Sequence, residues 1–240
     1  MGALGIIQAR FGSTRLRGKI LKPLAAYPML YHVVARSRAA LDRVIVATST
    51  HAADDAVEAF CGEYGIECFR GAEDDVLDRY YQVALPQKPD IVVRITADCP
   101  LVSIDGIDEV VKILVEEQLD YCMWDLDRIP LGLGAEAMRF DALARTWQDA
   151  VRAEEREHVT LYMRRHAGDF KIRIAGTDLV PNRNDLRLTV DTPEDYQVLK
   201  AVYDELYVPG SFIGISEAAA FLDLHPGIKQ LNANITQKKV

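Results

Sequence analysis

The strongest constraint on the fold is an alternation that runs through the first half of the chain. A short apolar run at 4–9 gives way to helically spaced apolar positions at 29–41 (MLYHVVARSRAAL). A buried strand at 43–48 (RVIVAT) leads into a helix at 54–64 that stops at Gly65, then a short strand at 66–70 and a helix at 75–85. The strand DIVVRIT at 90–96 and a helix from about Ile107, with Asp105 as its N-cap, continue the series. Alternating strands and helices are joined by crossovers, so the fold class is α/β, a mainly parallel sheet with helices on both faces. With 240 residues, 49% of them hydrophobic, the chain can bury one substantial core.

After about Leu119 the rhythm changes. YCMWDLDRIPLGLGAEAMRF (121–140) has the aromatic, Gly and Pro content of a hairpin or an irregular excursion. Helices follow at about 140–150 and 154–166, then strands near 170–175 and 186–190. A last helix opens at TPED, where Thr192 is the N-cap, Pro193 sits at N1 and Asp195 at N3 closes a capping box. No repeat or Pro/Gly/Ser-rich linker marks a boundary, so residues 1–240 read as one domain with an inserted acceptor and dimerisation subregion at about 119–175. The terminal NANITQKKV reads as a frayed, solvated tail.

Behind the first apolar run lies a basic loop. Arg10, Arg15, Arg17 and Lys19 fall within ten residues of a chain whose formal charge is −8, and Gly12, Ser13 and Gly18 sit among them. In a parallel α/β sheet ligands bind beyond the carboxyl ends of the strands, where this loop begins. Glycines let backbone N–H groups approach a phosphate and the cations supply countercharge, so the loop reads as a polyphosphate cradle. It is neither of the common ones. Gly12 and Gly18 enclose five residues where a Walker A loop has four, Ile20 follows Lys19 where Ser or Thr is needed, and there is no GxGxxG.

Two aspartates stand at strand ends. Asp98 follows DIVVRIT, and Asp191 follows LRLTV just before the helix cap. Carboxylates there can hold Mg²⁺, which takes one or two of them together with phosphate oxygens. A phosphate cradle and a carboxylate pair at one sheet edge suit nucleotidyl transfer, in which positioning and charge stabilisation do most of the catalysis. Other classes are excluded or disfavoured. The net charge and the pI near 5.2 argue against nucleic acid or an anionic membrane as partner. No apolar run reaches 18 residues and the start lacks the parts of a signal peptide. Cys61, Cys68, Cys99 and Cys122 have no CxxC spacing, which reads as a reduced, cytoplasmic chain without a zinc site.

QARFGSTRLRGKILKPL (8–24) resembles the opening of the cytidylyltransferases that make CMP-activated sugars, with their A-R-x-G-S-x-R-x-x-G-K pattern. FRGAEDDVLDRYY (69–81), VRITADCPL (93–101), REHVT (156–160) and VDTPED (190–195) extend the resemblance to the spore coat polysaccharide biosynthesis, SpsF-like, branch. The resemblance implies a Rossmann-like nucleotide-diphospho-sugar transferase (GT-A-like) fold, CTP as donor and Mg²⁺ as metal. Carried onto this chain, Arg10, Ser13, Arg15 and Lys19 line the triphosphate, with Arg10, Arg15 and Lys19 catalytic, and Gly12 and Gly18 shape the loop. Asp98 and Asp191 become the metal ligands, and Arg70, Gly71, Asp75 and Thr96 lie near cytosine and ribose. The branch has Leu-Pro-Gly-Lys where this chain has Leu16-Arg17-Gly18-Lys19, which leaves either a looser loop or a further anion-binding cation. Where the branch has a Gly-x-Asp-x-Glu-like segment, this chain has Gly132, Gly134 and Glu136.

The acceptor region therefore rests on Glu136, Glu157 and His158, the last two expected within one helix, EEREHVTLYMRR. His158 either packs structurally or contacts an anionic acceptor. Tyr121, Met123, Trp124 and Phe140 read either as core or as the surface of a two-fold homodimer. The expected activity is transfer of CMP from CTP to a small anionic acceptor, a sugar acid or a phosphorylated small molecule, for a surface polysaccharide. The alternatives are another nucleoside triphosphate in the same fold, or a nucleotide-binding scaffold that has lost catalysis.

Overall fold

The computed structural model of the protein describes residues 2–13 and 15–237, so Thr14 of the basic loop and 238–240 of the tail lie outside the described residues. The first half holds β1 (Ala3–Gln8), β2 (Pro23–Leu24), β3 (Tyr27–Pro28), α1 (Met29–Ala40), β4 (Arg43–Ser49), α2 (Asp55–Glu63), β5 (Glu67–Gly71), α3 (Val76–Ala84), β6 (Ile91–Thr96) and α4 (Ile104–Glu116). The second holds β7 (Tyr121–Trp124), β8 (Glu136–Arg139), α5 (Phe140–Asp149), α6 (Ala153–Glu157), α7 (Leu161–Arg165), β9 (Ile172–Ala175), α8 (Pro193–Leu206), α9 (Ile215–Leu224) and α10 (Pro226–Lys229).

Seven strands form one sheet in the order β5-β4-β1-β6-β8-β7-β9. All pairs are parallel except those made by β8, which runs against β6 and β7. Residues 119–175 thus supply the β8-β7-β9 edge, and β2 pairs with β3 in a separate small ribbon. Side chains alternate across β1 as a strand's period of two requires. Ile7 enters the core shared with α1, α4, α8 and α9, while Leu4 and Ile6 enter the opposite core with α3, α5 and α7. Helices cover both faces, as the alternation predicts. From β1 the chain winds outward to β4 and β5, then returns to place β6 on the other side of β1. That reversal leaves a crevice beyond the carboxyl ends of β1 and β6, where open α/β sheets bind ligands.

Several boundaries differ from the sequence reading. Helix α4 begins at Ile104, capped by Ser103, whose Oγ accepts from Gly106 N at 3.0 Å; Asp105 lies in the first turn. The helix expected over 154–166 breaks at His158–Thr160, which sends Val159 into the core. Segment 186–190 is not a sheet strand; its one bridge joins Leu131 to Arg187. Its apolar residues face the core as expected, but its backbone bonds go to a loop instead of a strand. Tyr121, Met123 and Trp124 are buried, so they belong to the core and form no partner surface. The chain near its end is docked rather than frayed, since Asn232 is 4% exposed and hydrogen-bonded to Asp195. Among the described residues no helix is long and apolar enough to cross a membrane.

Candidate active site

The basic loop closes on itself at Phe11. Its carbonyl accepts from Ser13 N and Gly18 N, both at 2.9 Å, and its own N–H donates to Asp54 Oδ1 at 2.6 Å. Gly18 has φ +66°, and a Cβ there would sit 2.8 Å from the Phe11 ring, so the turn requires glycine twice over. A single 3₁₀ turn, Lys19–Leu21, then buries Lys19 and Ile20. Arg17 is exposed, with its guanidinium 5.9 Å from the Phe11 ring centroid, and it does not line the cavity described below.

The two aspartates converge because their segments are joined. Val190 N donates to the Asp98 carbonyl at 2.8 Å and Thr189 Oγ1 to the same oxygen at 3.2 Å. On the other side Leu188 N reaches Leu131 O at 2.7 Å, beside Gly132, where φ is +102° and a Cβ would lie 2.7 Å from the Leu188 carbonyl carbon. Lys19 Nζ donates to Asp98 Oδ2 at 2.8 Å and to Asp191 Oδ1 at 2.9 Å. Arg15 lies 3.0 Å from that same Asp191 oxygen, and Arg187 donates to the other, Oδ2, at 2.8 Å. Burial pulls the Lys19 ammonium down, but Asp98 and Asp191 outweigh it and hold its pKa above the ordinary lysine value. Burial likewise opposes ionisation of Asp191, and Lys19, Arg15 and Arg187 overcome it to hold the carboxyl below its usual range. Both groups are charged at neutral pH.

Among the described residues no three His, Cys, Asp or Glu side chains gather as a metal cluster. The carboxylates that converge here, Asp98 and Asp191, present hard oxygen donors on the two sides of the Lys19 ammonium. That set fits Mg²⁺, which binds through one or two carboxylates and completes its shell with phosphate and water.

A cavity of about 380 Å³ opens over the ends of β1 and β6. Arg10, Gly12, Ser13, Arg15 and Lys19 line it, with Thr96, Asp98, Glu157 and Asp191 from the other segments. Gly18 shapes the loop from behind the lining. Arg70 points elsewhere; it donates to the Ser49 and His51 carbonyls and pairs with Asp55 and Glu58 on α2. Gly71 and Asp75 also lie outside the lining. Gly71 backs the stem of Arg79, where a Cβ would be 2.9 Å from Arg79 Cγ. Asp75 caps α3 and pairs with Arg156 at 2.6 Å. Glu157 lies 3.9 Å from Arg10. His158 ends α6, and burial first, then Arg94 and Arg164, lower its pKa and keep the ring neutral.

Glu136 stands back from the cavity on β8, paired with Arg94 and accepting from the Tyr121 hydroxyl at 2.6 Å. Burial would raise its pKa, yet Arg94 and Tyr121 outweigh that and lower it. Arg94 Nε also donates to Gln8 Oε1 at 3.2 Å. Arginine has no acceptor, so the Gln8 oxygen must face it, and the Gln8 amide N–H groups are left for the cavity that Gln8 lines.

The sequence reading missed Gln8 and Arg79. Arg79 is 1% exposed, yet it lines the cavity and donates to the Ala72 and Glu73 carbonyls. Burial lowers its pKa, and nearby Arg10 adds to that. The signal for it was present: an Arg inside the 69–81 motif, on the α3 face whose neighbours Val76, Leu77, Tyr80 and Val83 are apolar.

Comparison with known proteins follows the same lines. The family model described as cytidylyltransferase matches residues 4–239. The spore coat polysaccharide biosynthesis protein SpsF of Bacillus subtilis (strain 168) is 35% identical over 209 residues, covering 84% of this chain and 86% of that protein. A cytidylyltransferase structure from Leptospira borgpetersenii superposes with a TM-score of 0.88 at 28% identity, covering 100% of both chains. CMP:2-keto-3-deoxy-manno-octonic acid synthetase, solved in complex with CTP, has a TM-score of 0.64 at 20% identity over 85% of this chain and 99% of that one. At that identity the likeness speaks for the fold alone.

Proposed function

The chain belongs to the cytidylyltransferase family, and on that premise we propose that it transfers CMP from CTP to a small anionic acceptor, a sugar acid or a phosphorylated small molecule, for a surface polysaccharide. One observation carries the reading. In a protein of net charge −8, four cations, Arg10, Arg15, Lys19 and Arg79, line a single cavity with the Asp98–Asp191 pair at the sheet's switch point. An acceptor oxygen attacks the α-phosphorus of CTP, the bond to the β-phosphate oxygen breaks, and pyrophosphate leaves. Arg10, Arg15 and Lys19 hold the triphosphate, and the Ser13 hydroxyl with the loop N–H groups near Gly12 adds donors. Asp98 and Asp191 hold Mg²⁺, which supplies countercharge to the phosphates when bound.

Lys19 carries a second duty. It neutralises both carboxylates, and its ammonium would turn to a phosphate oxygen if those carboxylates held the metal. Thr96 and Arg79 border the nucleoside, with Gly71 and Asp75 acting through Arg79 and Arg156 rather than by direct contact. Glu157 and the neutral His158 flank the acceptor, and Glu136 acts on it through Arg94 and Gln8. A reducing cytoplasm, where CTP is supplied, suits four free cysteines.

A thermal-shift panel of CTP, UTP, ATP and GTP, each with and without Mg²⁺, tests the reading. A ligand at about 100 times its Kd stabilises by about 2.7 kcal/mol, which moves the melting point of a chain this size by several degrees. We expect a Mg²⁺-dependent shift for CTP. A shift for another nucleotide alone would replace the donor, and no shift with any nucleotide would refute the reading of the cavity as a triphosphate site.

A further inference from the structure

Behind Asp191 lies a closed polar cluster that takes no direct part in lining the cavity. Arg187 Nε donates to Asp195 Oδ1 at 2.8 Å, and its Nη2 donates to Asp191 Oδ2 at 2.8 Å and to Asp195 Oδ2 at 3.2 Å. Asp195 is fully buried and accepts in addition from the main-chain N–H groups of Asp191 (3.0 Å) and Thr192 (3.1 Å). The cluster is completed from far along the chain. Asn232 Nδ2 donates to Asp195 Oδ1 and to the Arg187 carbonyl, both at 3.0 Å, and Gln237 Oε1 accepts from Arg187 Nη1 at 2.6 Å.

Capping α8 needs only Thr192 and Asp195. A buried Arg–Asp pair with an Asn fitted against it adds little stability over apolar packing, because desolvation offsets the Coulomb gain. What the cluster does accomplish is geometric. Asp195 pins the Asp191 main chain, and Arg187 occupies Oδ2, so Oδ1 alone is turned toward Lys19 and Arg15.

We propose that Arg187, Asp195 and Asn232 are positioning residues for Asp191, and that the segment 232–237 is thereby a working part of the active site. They make Asp191 a one-oxygen ligand of fixed direction, with its second oxygen committed to the protein. The inference rests on the reading of Asp191 as a metal ligand. Partners one shell behind a metal ligand fix its orientation, and their loss weakens metal binding about 10–100-fold.

Asn232→Leu removes two N–H groups while keeping the branched side-chain skeleton. Mn²⁺, as an EPR-visible stand-in, is titrated into the protein at saturating CTP; CTP is titrated separately in EDTA, and folding is followed by circular dichroism. We expect Mn²⁺ to bind about tenfold more weakly to the variant, with CTP affinity in EDTA unchanged and the fold intact. Unchanged Mn²⁺ affinity, or a parallel loss of both affinities, overturns the proposal. Should Asn232→Leu not fold, Gln237→Leu trims one contact at an exposed residue; a weakening of Mn²⁺ alone supports the proposal and no weakening refutes it. If the wild-type protein binds CTP but takes up no Mn²⁺ with it, the metal role of Asp191 fails and this inference falls with it. Equal Mn²⁺ binding by wild type and variant removes the positioning role alone.

Discussion

Replacing Lys19 with methionine separates the two duties assigned to it. Lys19 is 8% exposed and, among the described residues, is the one cation shared by Asp98 and Asp191. Removing one partner of a buried ion pair costs about 3–5 kcal/mol, and here the figure falls to about 2–3 kcal/mol because Asp191 keeps Arg15 and Arg187 while the Asp98 side chain is 26% exposed. At about 2–4 °C per kcal/mol for chains of this length, Lys19→Met should melt roughly 5–10 °C below wild type without ligands. Two carboxylates relieved of their shared cation are also a better cation site. Mn²⁺ without nucleotide should therefore raise the melting point of the variant more than that of wild type. CTP should bind about 10–100-fold more weakly, the loss expected for one charge-assisted hydrogen bond of about 1.5–3 kcal/mol. Differential scanning fluorimetry with Mn²⁺, CTP or both reads all three effects. A Mn²⁺ shift no larger in Lys19→Met than in wild type would mean that Lys19 and the divalent ion do not compete for the same oxygens.

Three further outcomes follow from the same geometry. Gly18→Ala forces a left-handed φ on alanine against the Phe11 ring and should destabilise by about 1–3 kcal/mol in urea unfolding, with weaker CTP binding; full stability would refute the turn argument. Arg17→Pro should leave CTP affinity by calorimetry within about twofold, because an exposed charge outside the cavity is largely screened; a tenfold loss would make Arg17 a phosphate ligand. His158 is held neutral when folded but takes a proton near pH 6.5 when unfolded, so the unfolded state binds more protons and stability falls as pH drops below about 6.5. His158→Gln should flatten the decline of the urea midpoint between about pH 6.5 and 5; an unchanged slope would assign that decline to other groups such as buried His32.

The parts of this molecule that were legible in its sequence are those whose cause is local. The βαβ rhythm, the glycine-pinned basic loop, the carboxylate past β6 and the Thr192–Asp195 capping box each state their reason within a few residues. The misreadings all involve a distant partner. Ser103 and Asp105 are both capable caps, and Ser103 wins where its N–H meets Leu133 O at 2.9 Å. The apolar spacing of 154–166 is continuous, but Val159 must turn inward, and the helix breaks to let it. Segment 186–190 has a strand's composition, yet its N–H groups go to Leu131 and Asp98, which is what brings the two carboxylates together. Polar residues misled most. Glu136, expected at the acceptor, is locked to Arg94; Arg79, given no role from the sequence, lines the cavity; and Asn232, placed in a solvated tail, is bonded to Asp195. Glu136 and Asn232 stay buried because a partner from another element satisfies each, whereas Arg79 is held by the Ala72 and Glu73 carbonyls just before its own helix. Burial of a charge is decided by the fold, so the sequence can name the basic loop at the sheet edge but not the residues that hold the loop's counterparts in place.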